Sequence, residues 1–109
     1  IKVYWINRRH KRFFASFSDL INADNIKVEE SLKVWKRYLE KLEGVPYSKL
    51  TTKEILDLII DQELKSNLGI IDKTIYSPFE KPDTSSAFAY LLNFAVERHQ
   101  QRITQIKHG

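Results

Sequence analysis

Val28-Glu29-Glu30-Ser31-Leu32-Lys33-Val34-Trp35-Lys36-Arg37-Tyr38-Leu39-Glu40-Lys41-Leu42-Glu43 decides the fold class. Val28, Leu32, Trp35, Leu39 and Leu42 recur in strict 4-3-4-3 steps, the period that lays one apolar stripe along an α-helix. Acids gather near its start and bases toward its end, which complements the helix dipole. Gly44 and then Pro46 supply the stop. The spacing predicts a helix from about Ile26 to Glu43, with Asp24 or Asn25 as its cap.

Outward from this helix the same period returns. Upstream, Trp5, Arg9, Phe13, Phe17 and Leu20 predict a first helix over residues 3–22 that ends at the polar run 22–25. Downstream, Thr51 and Glu54 have capping-box spacing ahead of Ile55, Leu56, Leu58, Ile59 and Ile60, which starts a third helix. Leu64, Leu68, Ile71 and Ile75 continue the stripe over 61–76 as a further helix or a bent continuation, softened at Ser66, Asn67 and Gly69. Pro78 and Pro82 force a loop. A last helix is expected from Asp83, Thr84 or Ser85 to Lys107, with Phe88, Leu91, Leu92, Ala95, His99, Ile103 and Ile106 on one face. The expected fold is all-α, a small bundle of four to five helices. Length agrees, since 109 residues suffice for a single modest core.

Composition narrows the chemistry. Apolar residues make up 42% and charged residues 29%, the ordinary balance of a globular domain. Without Cys there is no disulfide, thiolate metal site or cysteine nucleophile. No apolar run approaches the ~18 residues of a membrane span, and no signal-peptide pattern is present. The chain starts at Ile1 and lacks Met, so it reads as the C-terminal piece of something longer, with Lys107-His108-Gly109 as a frayed end.

Charge is the most informative feature. Residues 1–18 hold Lys2, Arg8, Arg9, Lys11 and Arg12 and no acid, while the remainder holds thirteen basic against fourteen acidic side chains. Ahead of the basic run lie Tyr4 and Trp5. An aromatic-apolar stretch followed at once by cations resembles the cytoplasmic exit of a transmembrane helix, where Tyr and Trp favour the headgroup layer and Lys and Arg collect inside. Residues 1–18 are therefore expected to be a basic aromatic juxtamembrane segment continuing into the first helix, with 19–109 as the bundle. The plainer reading makes this the first bundle helix, with Trp5, Phe13, Phe14 and Phe17 in the core. A third reading is a nucleic-acid patch in which Arg8, Arg9, Lys11 and Arg12 grip phosphate. The neutral body offers it no second basic surface.

No catalytic or metal constellation emerges, and no cofactor is expected. Glu97 and His99 are two apart on a helix and point apart; His99 reads as a half-buried helix histidine. Asp57 and Asp61, flanked by Lys53 and Lys65, read as a solvated face. Trp35 belongs to the core. Among the loop aromatics, Tyr76 is expected to staple its loop, while Tyr47 and Phe79 are candidate partner contacts.

Taken in order, the basic run 8–12, the L-x-x-W-x-x-x-L helix from Leu32 to Leu39, the L-T-x-x-E-I start from Leu50 to Ile55, and the I-D-x-x-x-Y-S-P stretch from Ile71 to Pro78 resemble a known domain. It is the cytoplasmic C-terminal helical domain of BatD-like aerotolerance proteins from MoxR-linked operons. The resemblance implies a non-enzymatic bundle behind a membrane helix, at the cytoplasmic face of a bacterial inner membrane. It also implies MoxR-type ATPase or von Willebrand A-domain partners, with Trp35 and Tyr76 as structural signatures.

Overall fold

The computed structural model describes residues 2–23, 26–77, 79 and 82–108, with the side chains of residues 2 and 108 left aside. It is an all-α bundle: α1 is Lys2–Ile21, α2 Val28–Glu43, α3 Thr52–Leu58, α4 Gln62–Tyr76 and α5 Ser85–His108, with a 3₁₀ turn at Tyr47–Lys49 after α2. The α2 stripe lies where its period puts it, burying Leu32, Trp35, Leu39 and Leu42 together with Ser31 and Tyr38. Gly44 ends α2 at φ 75°, and its N–H donates to the Glu40 carbonyl. That left-handed conformation carries little strain only in glycine. The helix starts at Val28 behind Lys27, which makes no side-chain cap bond; the expected caps Asp24 and Asn25 lie outside the described residues.

Helices α2 and α5 share the centre: α5 is in contact with α1, α2 and α4, and α2 with α1, α4, α5 and the 3₁₀ turn. Phe17 meets Phe88 while His10 meets His99, so α1 and α5 run antiparallel. Phe13 stacks on Tyr38 at 4.1 Å, and Trp35 Nε1 donates to the Leu91 carbonyl at 2.8 Å within the core. Because α5 is covered on more than one side, its buried set is broader than one stripe. Ala87 and Phe94 join Phe88, Leu91, Ala95 and Ile103 in burial, and Leu92 is only partly covered.

Two expectations about packing are corrected. The inner row of α1 is Ile6, Phe13 and Phe17 with the half-buried His10, and Trp5 and Phe14 are exposed. A row of strict four-residue steps drifts ~40° per step on a helix of 3.6 residues per turn. By the time it has run back from Phe17 to Trp5 it has left the buried face. The softening of α4 is also misplaced, since Ser66, Asn67 and Gly69 lie inside the helix. The break comes at Ile59 to Asp61, where the Asp61 carboxylate caps α4 by accepting from the Leu64 N–H. At the start of α3 the reciprocal Thr51–Glu54 capping box is present as expected.

Candidate functional site

The outer face of α1 opens with Tyr4 and Trp5, 57% and 54% exposed, set edge to face at 5.2 Å. One turn on, the Arg8 guanidinium lies 5.8 Å from the centre of the Trp5 ring, a cation–π distance that holds both side chains outward. Arg8, Arg9, Lys11 and Arg12 are all exposed. The side chain of Lys2 lies outside the described residues.

The structure adds what the charge count did not foresee. Because α2 runs back along α1, it brings Arg37 and Lys41 opposite Arg8, Arg9 and Arg12, and the two helices form a groove of about 490 Å³ with Trp5 at one end. Among the described residues no acidic side chain lines it. The expectation of no second basic surface therefore falls: the charge of residues 19–109 averages to near zero but is not evenly distributed. The signal was present in the sequence, because Lys33, Arg37 and Lys41 form an i, i+4 row on one helix face. Further along the same seam the lining changes, and Asp19 and Glu30 appear beside Lys27.

Tyr38 connects this groove to a second cluster. Its ring lines the groove, and its hydroxyl shares a 2.7 Å hydrogen bond with His10 Nδ1. The His10 ring stacks on His99 at 3.9 Å with 8° between planes, and His99 Nε2 donates to Asn7 Oδ1 at 2.9 Å. Burial, and then the His99 ring beside it, push His10 down to about 4. Burial also lowers His99, so both imidazoles are neutral at pH 7. Burial raises Tyr38, against the nearby positive charge of Arg9. His99 is half-buried as expected; its partner, 89 positions upstream at His10, is not something a local pattern reveals.

The loop aromatics exchange roles. Tyr47, a candidate partner contact on sequence grounds, is 3% exposed, because the turn after Gly44 folds it back onto the bundle. Its hydroxyl donates to Glu43 Oε1 at 2.6 Å, Arg98 holds the other Glu43 oxygen at 2.9 Å, and Arg98 also lies over the Phe94 ring. Tyr76, the expected loop staple, is instead 79% exposed at the end of α4, and Phe79 is 93% exposed. On the Asp57–Asp61 face, Asp57 is exposed between the exposed Lys53 and Lys65 as expected, and only Asp61 departs from a solvated role. Besides capping α4, Asp61 accepts from the Tyr90 hydroxyl at 3.0 Å. The Leu64 N–H is the main reason its carboxyl is held below the usual range.

Among the described residues no three His, Asp or Glu side chains converge as metal ligands, and no helix is long and apolar enough to cross a membrane. No family model, curated protein or solved structure matches this chain.

Proposed function

We propose that this domain is a non-enzymatic interaction module that stands on the cytoplasmic side of a bacterial inner membrane, with the start of α1 nearest the lipid. The observation that carries the reading is the pair Tyr4 and Trp5, both more than half exposed at the first turns of α1, directly ahead of exposed Arg8, Arg9, Lys11 and Arg12. Trp5 and Arg12 are separated by about 10 Å of helix axis at the standard rise. That is close to the ~8 Å screening length at physiological salt. With the aromatics at headgroup depth, the cations lie where an anionic leaflet attracts each by ~1 kcal/mol. The resemblance to BatD-like domains supports the same placement. It also supports MoxR-type ATPase or von Willebrand A-domain partners, for which exposed Tyr76 and Phe79 are the contact candidates.

Co-sedimentation tests this reading. The domain is expected to bind mixed phosphatidylcholine–phosphatidylglycerol vesicles and release them as salt rises, and to ignore phosphatidylcholine alone. Equal binding to both, or none to either, contradicts it. A second reading, a nucleic-acid-binding domain, gains from Arg37 and Lys41 extending the basic surface. It requires tight oligonucleotide binding that weakens steeply between about 50 and 200 mM salt.

A further inference from the structure

The α1–α2 groove has three properties that together suit it to an anion. Its cations come from two helices, Arg8, Arg9 and Arg12 facing Arg37 and Lys41, around a space of about 490 Å³. The ion pairs of the described residues, Lys27 with Glu30 and Arg98 with Glu43, include none of the five, and only Lys41 has a carboxylate close enough to feel its charge, that of Glu40. The cationic stretch is also bounded, by the indole of Trp5 at one end and by the Asp19 and Glu30 carboxylates beyond Ser16 at the other. Five like charges held together repel one another and weaken the fold unless an anion sits among them. Guanidinium groups are the side chains best shaped to take a phosphate by paired N–H donors.

We infer that this groove receives the phosphate of an anionic lipid headgroup, with Arg37 and Lys41 of α2 completing a site that α1 begins. The inference rests on the membrane reading above and adds to it a defined ligand group and two residues from a different helix. The boundaries of the groove favour a compact phosphate over a polyanion strand. A nucleic acid following the seam from Trp5 would meet Asp19 and Glu30 within a few turns, whereas one headgroup fits between those ends. Trp5, which supports the Arg8 guanidinium, would sit at the glycerol level beside the bound phosphate.

The test compares the domain with R37Q/K41Q and with the charge-matched K53Q/K65Q, whose side chains are exposed on α3 and α4. All three are first shown to be folded by circular dichroism. On mixed phosphatidylcholine–phosphatidylglycerol vesicles, R37Q/K41Q is expected to lose on the order of 10- to 30-fold in affinity, about fivefold per cation. K53Q/K65Q should change by less than about twofold. Equal losses in the two variants overturn the site in favour of simple net charge. Undiminished binding by R37Q/K41Q overturns the α2 contribution while leaving the membrane reading of α1 standing. If the unsubstituted domain ignores these vesicles, the membrane reading itself fails. In that case a melting temperature raised by inorganic phosphate, at fixed ionic strength and only when Arg37 and Lys41 are present, assigns the groove to a free phosphate. Tighter binding of a single-stranded oligonucleotide than of the vesicles, lost in R37Q/K41Q, assigns it to nucleic acid. Either result overturns the lipid assignment.

Discussion

Acidifying the protein should loosen the seam between α1 and α5, and the size of the effect follows from His10. Its ring is stacked on His99 and bonded to Tyr38, and it titrates near 4 in the folded chain against an ordinary 6.5. The folded value lies below the unfolded one, so the stability contributed by neutral His10 is fully present above about 6.5 and is lost as pH falls through about 4. Near pH 5 the unfolded chain binds almost one proton more at this residue, a slope of ~1.2 kcal/mol per pH unit. His10 is only half-buried, and screening reduces the integrated loss to ~1–2 kcal/mol. His99, shifted the same way, adds to it. The assay is urea unfolding followed by circular dichroism at several pH values between about 7 and 4.5, for the domain and for His10→Gln. Glu40, Glu54, Asp61 and Asp83, whose carboxyls are held low by hydrogen bonds, contribute equally to both proteins and cancel in the difference. The variant should be less stable at pH 7 and approach the parent as pH falls. A stability gap that stays constant over this range refutes the reasoning.

Two further substitutions test the packing. Ser31 is fully buried and its hydroxyl has no hydrogen-bond partner among the described residues, so Ser31→Ala should raise stability by ~1 kcal/mol through removal of an unsatisfied group and better helix propensity; a lower urea midpoint would show that the hydroxyl has a partner. Thr51→Ala removes the side chain that caps Glu54 N–H and, with it, the reciprocal box, and should cost ~1 kcal/mol, read in the same assay.

The parts of this structure that the sequence discloses are those set by short-range periodicity and capping. The stripe from Leu32 to Leu42, the stop at Gly44 and the Thr51–Glu54 box each depend on residues within a few turns of one another. Side-chain placement on α1 was less legible, because aromatics at Trp5 and Phe14 look like core residues to any hydrophobic count. Only the antiparallel neighbours α2 and α5 determine that Ile6, His10 and Phe13 face inward instead. The groove and the histidine pair depend on contacts between distant positions, Arg37 with the α1 arginines and His10 with His99. Net charge concealed the first, since Lys33, Arg37 and Lys41 are cancelled in the sum by acids on other faces. Tyr47 shows the same limit in reverse: its position beside a loop suggests a contact surface, but the three residues 44–46 turn it back against Glu43, which Arg98 also holds.

The orientation of α1 toward lipid is most directly examined through tryptophan fluorescence, because the two indoles are so differently placed: Trp35 is fully buried in the bundle and Trp5 is 54% exposed. Vesicles of phosphatidylglycerol carrying bromine on their acyl chains should quench and blue-shift the Trp5 emission while leaving the Trp35 background unchanged, and Trp5→Phe should abolish the response. Trp5 emission that stays unquenched and unshifted when the domain is mixed with these vesicles would contradict the account.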